Sequence, residues 1–145
     1  MNNKQKKQLE IFATKIRLAA LEGIFTASSG HPGGSLSIAD ALSYLYNVEM
    51  KIDPSNPKWE DRDRFVLSKG HCAPALYGAL ALRGFFDINE VKNLRKLGHF
   101  LQGHPDLKGT PGVICQQALS DREYPPHAVW HCQQSCRART TVYIR

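Results

Sequence analysis

No stretch of the 145-residue chain approaches the roughly 20 consecutive apolar residues of a membrane span. The basic start, Met1 to Lys7, is not followed by the apolar segment of a secretory signal. Cysteine is sparse, with four residues, and in a chain without a secretory segment these are expected as free thiols rather than disulfides. These absences lead to an expectation of a soluble cytoplasmic protein with no membrane partner. A concentrated basic face is also missing. The formal charge is +6, but the lysines and arginines are scattered apart from Lys4, Lys6 and Lys7. A scattered excess describes a solvated surface, so no nucleic-acid partner is expected. There is no internal repeat and no low-complexity segment. The length suits one domain or a piece of a larger one. The last absence is local: from Ile114 to Arg145 there is no glycine and no lysine, although the chain holds 11 glycines before that point.

What is present is a recurrent dipeptide, glycine followed by histidine. It occurs in Ser29-Gly30-His31-Pro32-Gly33-Gly34, in Ser68-Lys69-Gly70-His71, and in Gly103-His104-Pro105. Glycine permits positive φ and close approach to a ligand. A histidine on such a loop presents a group that titrates near neutral pH.

Between the loops the pattern is largely helical. Leu9, Phe12, Ala13, Ile16, Ala19, Ala20, Gly23, Ile24 and Ala27 have helical spacing and predict an amphipathic helix from about Lys6 to Ala27. A second helix is predicted to start at Ser37, with Asp40 three residues on as in a capping box. Pro54 and Pro57 mark a connection that Trp59 is expected to anchor. Phe65-Val66-Leu67 reads as a short buried strand with His71 beyond its carboxyl end, where open α/β sheets bind ligands. A third helix is expected from Ala73 to Arg83, stopped by Gly84, and a fourth from Asp87 to about Leu97.

The three histidine loops, together with Asp61-Arg62-Asp63-Arg64-Phe65-Val66-Leu67-Ser68-Lys69-Gly70-His71 and Gly109-Thr110-Pro111-Gly112-Val113, closely resemble the transketolase family over about residues 6–113. The short leader resembles the N-terminal subunit of a split transketolase. The resemblance implies the first part of an α/β thiamine-diphosphate-binding fold. That means a parallel sheet flanked by helices, helix-rich in the portion present and not completed by this chain. It implies transfer of a two-carbon ketol unit between sugar phosphates, in the pentose phosphate pathway, with thiamine diphosphate and Mg2+ as cofactors. The implied partners are sugar phosphates, a C-terminal subunit and a second copy. His31 and His104 match the family's substrate-side histidines, and His71 matches one that contacts the cofactor near its diphosphate. No metal-binding residue is expected here, because the family's Gly-Asp-Gly motif has no counterpart in this sequence. The chain alone is therefore expected to be inactive.

The resemblance stops near Val113. Codons that encode Ile114-Cys115-Gln116-Gln117-Ala118-Leu119-Ser120-Asp121 and the residues after them, read one base earlier, can spell D-M-S-T-G-S-L-G-Q-G and its continuation, the string the family carries there. A frameshift at about Val113–Ile114 is inferred, and the tail 114–145 is expected to be disordered. The rival reading is a non-catalytic interaction or zinc module. It uses His127, His131, Cys132 and Cys136, whose four-residue spacings suit a metal on a helix. Outside the three loops, His99 reads as a surface or helix-end residue, Lys69 as a solvated or phosphate-facing cation, and Cys72 as a small buried side chain.

Overall fold

Helix α1 runs from Asn3 to Ala27 and forms one wall of the molecule. The computed structural model describes residues 1–67, 69–106 and 109–113, and the backbone of 141–144. Helix α1 starts three residues before the expected Lys6 because Asn2 caps it. The Asn2 side chain accepts from the Gln5 N–H at 2.8 Å, and the Gln5 side chain accepts from the Asn2 N–H at 3.0 Å. Its inner face is Ala13, Ile16, Ala19, Ala20 and Gly23. It ends at Ser28, whose φ of 48° turns the chain out of the helix.

Helix α2, Pro32–Tyr44, begins five residues before the predicted Ser37. Proline has no N–H to lose in a first turn and its φ already suits a helix, so Pro32 opens α2. The predicted capping pair is used otherwise: the Ser37 hydroxyl donates back to the Gly34 carbonyl, and Asp40 pairs with Arg17. A π-helical turn, Leu45–Glu49, follows and buries Tyr46.

The connection to the sheet is closed by Asp63, whose carboxylate accepts from the Lys51 N–H at 2.7 Å. Trp59 is half-buried, with the Lys51 ammonium 5.2 Å from its ring centre. Strand β1, Arg64–Leu67, pairs in parallel with β2, Thr141–Ile144, in the register Arg64↔Thr141 to Leu67↔Ile144. Among the described residues this pair is the whole sheet, so the structure is helix-rich with little sheet. Strand β2 comes from the segment expected to be disordered. The rest of that expectation, and the zinc reading of His127, His131, Cys132 and Cys136, lie outside the described residues.

Helix α3, Ala73–Leu82, is buried on every side: each residue from Ala73 to Ala81 is buried. Its sequence has no polar face, and α1 and α2 both pack on it. Pro74 lies in its first turn, and Gly84, at φ 89°, follows its end as expected. Gly78 lets α1 approach: a Cβ there would sit 3.1 Å from the Ala19 Cβ and 3.3 Å from the Ile16 carbonyl oxygen. Ile16, Leu42, Tyr77, Leu80 and Leu101 are among the fully buried side chains around this helix.

The predicted fourth helix is a shorter 3₁₀ segment, Ile88–Asn93, capped by Asp87. It stops because Leu94 turns into the core and Arg95, at φ 62°, bonds its N–H to the Leu101 carbonyl at 2.8 Å.

Burial pushes the phenols of Tyr46 and Tyr77 above the ordinary tyrosine range, with Arg62 opposing at Tyr46 and Arg95 at Tyr77. The unfolded chain releases these protons near pH ~10, whereas the folded chain keeps them. The folded state then binds more protons than the unfolded one, so stability falls as pH rises. The urea midpoint is expected to begin dropping near pH ~10 and to keep dropping as pH rises further, and Tyr46→Phe to remove part of that drop.

Candidate functional site

The first histidine loop is built by a constraint on glycine. Gly30 has φ 148°, and a Cβ there would lie 2.8 Å from Ile24 Cγ1. The chain then enters α2 with His31 as its N-cap residue. The imidazole makes no capping hydrogen bond and is exposed. The first-turn N–H groups of α2 therefore have no side-chain cap, and their dipoles point outward beside His31.

The second loop leaves the carboxyl end of β1. Lys69 is half-buried, and a 3₁₀ turn, Gly70–Cys72, carries an exposed His71. The ring centres of His31 and His71 are 5.7 Å apart, edge to face at 69°. Gly34 makes this approach possible: a Cβ there would meet Cys72 Sγ at 2.6 Å and His71 Cδ2 at 3.0 Å. Cys72 is buried, and desolvation pushes its thiol up, with Lys69 opposing. It is a packing residue rather than a thiolate nucleophile.

The third loop is tied to the core from both ends. The Tyr77 hydroxyl donates to the Gln102 carbonyl at 2.7 Å, and the Thr110 hydroxyl donates to the Phe100 carbonyl at 2.9 Å. Pro105 is buried, while His104 beside it is exposed. This loop meets the first one at Arg95, a residue that sequence reasoning passed over inside a predicted helix. Its Nη1 donates to Ser29 Oγ at 2.8 Å.

His99 is not a surface residue. It is half-buried, its Nε2 lies 2.8 Å from a Glu90 oxygen, and its Nδ1 accepts the Leu101 N–H at 3.1 Å. Hydrogen bonds from Asn93 first, and then from His99, hold the Glu90 carboxyl below the usual range. His99 is a structural histidine, fully engaged at both nitrogens.

The structure thus brings His31 and His71 into contact and links the His104 loop to the His31 loop. The chemistry available is that of exposed imidazoles, one half-buried ammonium and a bare helix N-terminus, a combination that suits an anionic ligand. Ser35 adds a fully buried hydroxyl in the α2 first turn with no hydrogen-bond partner among the described residues. The imidazoles, the ammonium and the helix N-terminus are of the chemistry that a diphosphate takes. They do not fit a metal, since among the described residues no group of three His, Cys, Asp or Glu side chains is placed to hold one. No helix among the described residues is long and apolar enough to cross a membrane.

Residues 8–117 match the family model described as transketolase, thiamine diphosphate binding domain. The match begins two residues after the expected Lys6 and runs four past Val113. A 6-deoxy-6-sulfo-D-fructose transketolase subunit of Clostridium sp. (strain MSTE9) is 49% identical over 111 residues, covering 77% of this chain and 40% of that protein. Among solved structures, transketolase from Campylobacter jejuni superposes with a TM-score of 0.72 at 38% identity, covering 81% of this chain and 18% of that one. A Pichia stipitis transketolase in complex with sedoheptulose 7-phosphate superposes with a TM-score of 0.70 at 35% identity, over 77% of this chain and 16% of that one. The chain therefore spans about two-fifths of the Clostridium protein and under a fifth of the two solved chains. The comparisons give the zinc-module alternative no support.

Proposed function

The chain belongs to the transketolase family, and from that premise we propose that it supplies one side of a site that moves a two-carbon ketol unit between sugar phosphates. The observation that carries this reading is the His31–His71 ring contact at the carboxyl end of β1, beside the uncapped start of α2. Thiamine diphosphate, when bound, supplies the carbanion stabilisation. His71, with the Lys69 charge nearby, would hold the diphosphate by donating a hydrogen bond to it. His31 and His104 hold or move a proton at the hydroxyl and carbonyl oxygens of the ketose donor. No step is assigned to Mg2+, because the described residues offer it no ligand set.

The remaining parts belong to partners. The naming of the Clostridium relative as a subunit supports a split enzyme, in which a C-terminal subunit and a second copy complete the site. Phosphorylated sugars as substrates support a cytoplasmic setting.

The test has two arms. The 145-residue chain alone, with thiamine diphosphate and Mg2+, is expected to show no ketol transfer and binding weaker than micromolar by calorimetry. We infer further that the reading frame shifts at about codon 113–114; the gene with that shift reversed, coexpressed with a transketolase C-terminal subunit, is expected to transfer a two-carbon unit from a ketose phosphate to an aldose phosphate. A restored assembly that binds the cofactor yet transfers nothing would sink the proposal.

A further inference from the structure

We infer that Arg95 is a positioning residue that locks the first and third histidine loops to one another. Its guanidinium touches both. Nη1 donates to Ser29 Oγ at 2.8 Å, across 66 residues of sequence, and Ser29 lies two residues before His31. The rest of the fork lies against Gly103, the residue before His104. A Cβ at Gly103 would be 3.1 Å from Nε and 3.2 Å from both Cζ and Nη2. Gly103 therefore leaves the space that a flat guanidinium occupies.

The base of this clamp is fixed. Arg95 has φ 62°, a conformation that L residues rarely adopt, and its N–H donates to the Leu101 carbonyl at 2.8 Å. The side chains of Leu94 and Leu101, on either side of that turn, are buried with Ala73 and Tyr77. The Tyr77 hydroxyl holds Gln102, so the chain on both sides of Arg95 and just before Gly103 is anchored in the core. What remains adjustable is the relative placement of two exposed loops, and one guanidinium bonds the first and packs on the other. A lysine carries the same charge but has neither the planar fork nor its pre-set donor directions, so it cannot bond Ser29 while lying flat on Gly103.

The importance of the clamp for catalysis rests on the ketol-transfer reading, because that reading places His31 and His104 on the same substrate. The clamp itself is tested without cofactor or activity. The full 145-residue chain, labelled at histidine, is to be followed by the ring resonances of His31 and His104 in NMR spectra. Ser29→Ala is expected to move the His104 signals as well as those of His31, and Ser29→Thr to restore them. Gly103→Ala, which crowds the guanidinium, is expected to move His31 as well as His104. In an Arg95→Lys background both cross-loop effects are expected to disappear while the same-loop shifts persist, which is the signature of coupling through that side chain.

Substitutions that move only the histidine of their own loop, or cross-loop shifts that survive Arg95→Lys, would overturn the clamp. Should Gly103→Ala disturb folding, Ser29→Ala with its threonine rescue decides the matter alone. Failure of the ketol-transfer reading would show as absent transfer and would leave these shifts as they are.

Discussion

Truncating Ile16 to alanine is expected to destabilise the chain by about 2–5 kcal/mol, the range for removing a large aliphatic group from a core that cannot collapse around the gap. Ile16 is fully buried, in the cluster with Ala20, Ile38, Leu42 and Leu80. Its carbonyl oxygen lies under Gly78, where α1 comes closest to α3. The backbones are already in near contact at that point, so neither helix can move in to fill the space. Domains of this size hold about 5–15 kcal/mol in total, so the loss is a large share of stability. At roughly 2–4 °C per kcal/mol for a chain near 150 residues, thermal unfolding followed by circular dichroism should shift down by about 4–20 °C. Ile11→Ala is the control: Ile11 is 49% exposed on the same helix, and its truncation should cost under about 0.5 kcal/mol. Equal effects of the two substitutions would mean that α1 is not seated on α3 as described.

In the restored, assembled enzyme, His31→Ala and His104→Ala are each expected to lower kcat/KM for ketol transfer by about 10²–10⁴, the range for removing a positioned proton donor or acceptor. Both imidazoles are exposed, and His31 makes no capping bond, so neither is tied up by the fold. His99→Ala is the contrast. Its ring is held by Glu90 and by the Leu101 N–H, so its loss should lower stability and leave kcat nearly unchanged. A His31 or His104 variant with wild-type kcat/KM would remove that residue from the proposed chemistry. Each substitution exchanges one exposed side chain, so unfolding does not confound the reading, and the thermal midpoint checks this.

The helices α1 and α3 were legible because their apolar spacing is a direct consequence of what they bury. The start of α2 was not. Gly33-Gly34 has the composition of a turn, yet Gly34 is glycine for another reason: Cys72 Sγ and His71 would collide with any side chain there. A steric demand from a residue far along the chain leaves no periodic trace. The segment after Asp87 shows a second limit. The cap is visible in sequence and is present, but the helix ends early because Leu94 and Leu101 are both drawn into the core and Arg95 takes a left-handed conformation between them. The histidine loops could be picked out individually from the glycine before each histidine. The contact between His31 and His71, and the guanidinium joining the His31 and His104 loops, depend on tertiary placement and could not be read from spacing.

The proposed site places His71, next to His31, at the diphosphate edge of bound thiamine diphosphate. The most direct measurement is a titration of the histidine-labelled 145-residue chain with thiamine diphosphate and, separately, with thiamine, followed by ring resonances. His71 and His31 are expected to shift with the diphosphate at millimolar concentration and not with thiamine, while His99 stays where Glu90 and Leu101 hold it. A His71 signal that ignores the diphosphate, or responds equally to thiamine, would contradict it.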